Sequence, residues 1–128
     1  MPPRPESVAE WMRLTRGDLA LARSSAGPDV PAELLCFHAQ QAVEKAIKGV
    51  LVFRGVKPPK IHDIGQLLAL LPPEVARIPE LEAARALTYY ATISRYPWRG
   101  APVSEVQYRE AVRLAEAVVK WAADIVGR

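Results

Sequence analysis

The chain has 128 residues, of which 50% are apolar and 24% charged, a balance that fits one folded domain spanning residues 1–128 and not a disordered tail. Its lone cysteine, Cys36, excludes an intramolecular disulfide and a cysteine-based zinc site, and a reducing, cytoplasmic setting is expected. The N-terminal MPPRPES lacks the apolar stretch of a signal peptide, and no run reaches the roughly 18 apolar residues of a membrane span, so no membrane association is expected.

A 3.6-residue apolar period dominates from the start of the chain. Ser7-x-x-Glu10 reads as a capping box opening a first helix, whose buried stripe is Val8, Trp11, Met12, Thr15, Leu19 and Ala22. Ala26-Gly27-Pro28 ends it. A second helix is expected from Pro31, suited to a first helical turn, to a stop near Gly55. Leu35, Ala39, Ala42, Val43, Ala46, Ile47 and Val50 give it a face broad enough for several neighbours, or for self-association.

Pro58-Pro59 marks a loop, after which His62 or Asp63 opens a short helix carrying Ile64, Leu67, Leu68 and Leu71. Pro79 is expected to begin a helix that ends before Pro97, with Tyr89, Tyr90 and Ile93 facing the core. RYPWRGAP reads as a linker. Ser104-x-x-Gln107 is a second capping box, opening a last helix that buries Tyr108, Ala111, Val112, Ala115, Val118, Val119, Ala122 and Ile125. Short connections between long helices predict an all-α fold, an up-and-down four-helix bundle with one short extra helix.

Charge is uneven along this framework. Residues 45–62 hold Lys45, Lys48, Arg54, Lys57 and Lys60 with no acid, and residues 83–104 hold Arg85, Arg95 and Arg99 with none, while the rest carries 9 basic and 14 acidic residues. Such a basic sector suits an anionic partner such as nucleotide or RNA, or else it solvates one side of the fold.

Motifs narrow the chemistry mainly by absence. There is no Gly-rich phosphate loop and no HExxH, and the helix interiors are read as placing no Asp or Glu on the apolar stripes, so no metal site and no cofactor is expected. His38, Gln41, Lys45 and Lys48 share one side of the second helix and could face one anion, or His38 could be a half-buried histidine satisfied by a neighbour. His62, where the basic loop meets a helix, either caps backbone amides or meets a ligand. Arg95, Tyr96 and Arg99 combine forked phosphate donors with a ring able to stack on a base.

CFHAQQAVEKAIKGVL, KIHDIGQLL and TYYATISRYP, in this order and spacing, resemble the HEPN family over nearly the whole chain. The resemblance implies a helical bundle, often a homodimer, that binds nucleotide or RNA. Small stand-alone members are often paired with a minimal nucleotidyltransferase in two-component systems, some of the toxin–antitoxin kind. Many members are metal-independent ribonucleases in which Arg is followed after four to six residues by His, the Arg stabilising phosphate charge and the His moving a proton. Arg95 is followed by YPWRGAPV, without histidine, and no Arg precedes His38 or His62 at that spacing. A binding module using Arg95, Tyr96, Arg99, His62, Lys45, Lys48 and Lys57 is therefore the first expectation. Two alternatives stand: a ribonuclease in which folding or a second subunit brings His62 or His38 to Arg95, and a dimerisation module without ligand.

Overall fold

The structure is a computed structural model, described here for residues 6–25, 27–93 and 102–127. It is all-α: α1 (Val8–Ala22), α2 (Ala32–Phe53), α3 (Ile64–Ala69), α4 (Pro79–Ala83), α5 (Thr88–Ile93) and α6 (Glu105–Val126), with a 3-10 segment at Ala84–Leu87 joining α4 to α5. Among the described residues the one extended pairing is a bridge between Gly27 and Val30 in the α1–α2 turn. α1, α2, the α4–α5 leg and α6 are the four legs of the bundle, and α3 is the short extra helix.

The caps follow the sequence closely. Ser7 Oγ accepts from Glu10 N at 3.1 Å, but the Glu10 carboxylate turns to Arg13 Nε at 2.9 Å, so the box expected at α1 forms only by half. At α6 both halves form: Gln107 N donates to Ser104 Oγ (3.1 Å) and Ser104 N to Gln107 Oε1 (2.8 Å). Pro31 lies one position outside α2, as its N-cap, and not in the first turn as expected. α2 stops at Gly55, whose φ of +79° suits glycine; Gly55 N reaches Val52 O at 3.0 Å and Val56 N reaches Leu51 O at 2.8 Å, a Schellman closure.

The fourth leg departs from expectation. Leu81, Ala84, Leu87, Tyr90 and Ile93 are all buried, a spacing of three throughout. An α-helix rotates a strict three-residue repeat off one face by about 60° per step, whereas a 3-10 turn keeps i and i+3 eclipsed. The segment therefore tightens at Ala84–Leu87. The same register leaves Tyr89 50% exposed, against the expectation that it packs inside.

α2 is the central helix, touching α1, α3, α5 and α6. All seven apolar residues expected on its broad face are buried. That face is thus occupied within one chain and is not left over for self-association. The exposed large apolar side chains include Leu14, Leu21, Val30 and Leu34 around the α1–α2 hairpin. Gly49 lets α1 approach: a Cβ there would stand 3.3 Å from both Met12 Sδ and Trp11 Cβ. α6 is pinned by Tyr108 Oη to Ala22 O (2.6 Å) and Trp121 Nε1 to Ala76 O (2.7 Å). It also buries Leu114 and Trp121, which its expected stripe left out.

Candidate functional site

A polar seam runs along α2 where it faces α1 on one side and the 60–63 loop on the other. Gln40, Glu44 and Lys48 follow one another at spacings of four, so they form one row along the helix. All three are buried, with Glu44 2% and Lys48 5% exposed. Burial of two charges is tolerable only because they pair, Lys48 Nζ lying 2.9 Å from Glu44 Oε2. The Lys48 ammonium also lies 5.7 Å from the Trp11 ring centroid, within cation–π range. Trp11 Nε1 is buried without a hydrogen-bond partner among the described residues.

Glu44 is shared further. His62 Nδ1 lies 3.0 and 3.2 Å from its two oxygens, and Gln40 Nε2 donates to Oε1 at 3.1 Å. Gln40 Nε2 also reaches His62 O at 3.3 Å and its Oε1 accepts from Gln41 Nε2 at 2.7 Å, so the amides bind the 62 loop to α2. Since an ionised carboxylate only accepts, the proton between the two groups is assigned to His62 Nδ1. The His62 side chain is about half exposed, leaving Nε2 as the ring nitrogen without a partner among the described residues.

A second cluster repeats the pattern at the α1–α2 contact. Asp18 is nearly buried; its Oδ1 lies 3.0 Å from His38 Nδ1 and its Oδ2 accepts from Lys45 Nζ at 2.6 Å. Each buried carboxylate thus holds one lysine and the Nδ1 edge of one histidine. Such a carboxylate fixes the ring's tautomer and direction, and Nε2 can then accept or donate a proton at a stated place.

This geometry divides the row of His38, Gln41, Lys45 and Lys48. His38 and Lys45 turn to Asp18, Gln41 to Gln40, and Lys48 inward to Glu44. The lysines at 45 and 48 are counter-ions of the core, not a free pair facing one anion. The helix stripes do carry acids, contrary to expectation, at Asp18 and Glu44. Both were detectable: Asp18 stands three after Thr15 and four before Ala22, and Glu44 ends one residue before the acid-free window begins. His62 does not cap α3; Asp63 does, its Oδ1 accepting from Gln66 N at 2.9 Å, with Thr88 Oγ1 accepting from Ile64 N at 3.1 Å.

Lys57 is exposed and makes no ion pair among the described residues, whereas Arg54 of the same basic stretch reaches Glu74 at 2.7 Å. Arg95, Tyr96 and Arg99 lie outside the described residues. Among the described residues no group of three or more His, Cys, Asp or Glu side chains is arranged to hold a metal ion, and no helix is long and apolar enough to cross a membrane.

Similarity to known proteins covers this whole framework. TT1696 of Thermus thermophilus superposes with a TM-score of 0.80 at 32% identity, over 93% of this chain and 98% of that one. ST0689, an archaeal HEPN homologue, gives 0.71 at 31% identity, over 92% and 96%. No curated protein sequence matches the chain. The HEPN domain model matches residues 8–126, which include α1 through α6 and both carboxylate–histidine clusters, and the chain belongs to the HEPN domain family.

Proposed function

We propose that this protein, a single HEPN domain, is a binding module for nucleotide or RNA. In this reading it acts as the non-catalytic partner of a minimal nucleotidyltransferase in a two-component system of the toxin–antitoxin kind, in the cytoplasm and as a homodimer. The observation that carries the reading is the pair of histidines His38 and His62, each anchored through Nδ1 by a buried carboxylate on the α2 seam. Fixed imidazole edges suit a ligand that offers hydroxyls, and the exposed cation Lys57 suits the phosphates of the same chain of nucleotides. Arg95, Tyr96 and Arg99, which follow α5 in the chain, are proposed to complete the site with forked donors and a stacking ring.

A gel-shift series with mixed-sequence RNA in EDTA, at two salt concentrations, tests it. Retention of intact RNA that weakens with salt and with Arg95→Ala is expected. Absence of any shift at low salt refutes RNA as the ligand and leaves a mononucleotide or a protein partner.

The Glu44–His62 pair favours one second reading, a metal-independent endoribonuclease. An Nε2 edge held by a buried carboxylate is the arrangement that general acid–base catalysis requires. Loss of full-length RNA in EDTA, abolished by His62→Ala and by Arg95→Ala with a bell-shaped pH profile, would establish it in place of the binding reading.

A further inference from the structure

Two clefts open on adjacent sides of the last turn of α2, far along that helix from His38. One, of about 470 Å3, is walled by Val8, Met12, Phe53, Ala123 and Val126, with Arg16 as its charged lining residue. The other, of about 310 Å3, is walled by Val52, Val56 and Pro58, with Lys57 and Glu6. Phe53, 45% exposed, stands at the first cleft, and Val52, its neighbour in the chain, lines the second.

At the clefts, Arg16 and Lys57 reach no carboxylate among the described residues, whereas their chain neighbours Arg13 and Arg54 do. α2 and α6 both finish here without a basic residue in their last turns. α1 begins at the first cleft with its positive end, so the helix ends here offset one another; the apolar walls disfavour a carboxylate inside the clefts, which leaves the rim, at Arg16 and Lys57. A small anionic amphiphile does not meet that division well. A chain segment does, with apolar side chains inward and acids outside.

We propose that this end of the bundle is a docking surface for an acidic segment of a partner protein, two of whose apolar side chains enter the clefts beside Phe53 while its carboxylates reach Arg16 and Lys57. Apolar anchors in desolvated clefts supply affinity, and exposed charges supply approach rate and selectivity. The surface shares only Lys57 with the proposed RNA site, so Phe53 and Arg16 test it apart from RNA binding.

The test is fluorescence anisotropy of the full chain with a labelled amphipathic peptide whose leucine face is flanked by glutamates, against the same peptide flanked by lysines. The glutamate peptide is expected to bind, Phe53→Ser to weaken it about tenfold or more, and Arg16→Glu or Lys57→Glu to weaken it several-fold while flattening its salt dependence. Phe53, Arg16 and Lys57 are exposed, so circular dichroism should show each variant folded as the parent, and RNA retention should not change for Phe53→Ser and Arg16→Glu, which lie outside the proposed RNA site. No binding of the glutamate peptide, equal binding of both peptides, or indifference to Phe53→Ser overturns the proposal. Self-association lost on Phe53→Ser also overturns it, by giving the surface to a second copy.

Discussion

Glu44→Gln is the sharpest perturbation of the seam. The amide keeps the shape of the carboxylate but removes its charge, while Lys48, 5% exposed and 2.9 Å away, keeps its own. Breaking a buried pair from one side costs about 3–5 kcal/mol, because the remaining ion has lost its solvation and its partner. Partial relief is available from the Trp11 face, 5.7 Å from Lys48 Nζ, so the lower end is expected, about 3 kcal/mol. For a chain of this size that corresponds to a fall in Tm of about 10 °C. The partner test is Glu44→Gln with Lys48→Met, which removes the stranded charge and leaves an amide oxygen to accept from His62 Nδ1. The double variant should recover about 1–3 kcal/mol of the loss. Urea unfolding followed at 222 nm measures both variants against the parent. If Glu44→Gln loses less than about 1 kcal/mol, or the double variant is no more stable than the single one, the pair is not the enclosed ion pair argued above.

Asp18→Asn strips His38 and Lys45 of their shared acceptor, but at a wetter site, and should lower stability by about 1–2 kcal/mol in the same urea assay, less than Glu44→Gln. Tyr108→Phe orphans the Ala22 carbonyl that its hydroxyl meets at 2.6 Å, a loss of about 1–2 kcal/mol readable as a lower melting midpoint with unchanged helicity. Burial pushes the Cys36 thiol up to about 11 and the Tyr90 phenol up to about 12. Both groups therefore ionise first in the unfolded chain, and stability is expected to be full below about pH 9 and to fall as pH rises toward 12. Guanidinium midpoints across that range should show the fall, and Cys36→Ala with Tyr90→Phe should flatten it; a parent whose midpoint does not move would refute the assignment.

The capping residues, the prolines and the apolar stripes were legible because each acts within a few residues of itself. Ser104 with Gln107, Gly55 and the seven apolar positions of α2 needed no knowledge of the rest of the chain, whereas the choice between His62 and Asp63 at the start of α3 stayed open. The same local reading missed the 3-10 turn, although the repeat of three at Leu81, Ala84, Leu87, Tyr90 and Ile93 was already in the sequence. It went unread because a period of three and one of 3.6 separate only over several turns.

The site is a different matter. Composition counted Lys45 and Lys48 as part of a basic stretch, and helical spacing placed them on one side with His38, but neither says what stands opposite. Asp18 comes to His38 across 20 residues, and Glu44 to His62 across 18, only because α1 and the 60–63 loop pack on opposite flanks of α2. A charge in a sequence is a property of its residue. Whether it faces water, a ligand or a buried counter-ion depends on solvation and on groups remote in the chain, and so the sequence determined the helices and their caps while only the tertiary structure decided which cations are spent inside the bundle and which remain at its surface.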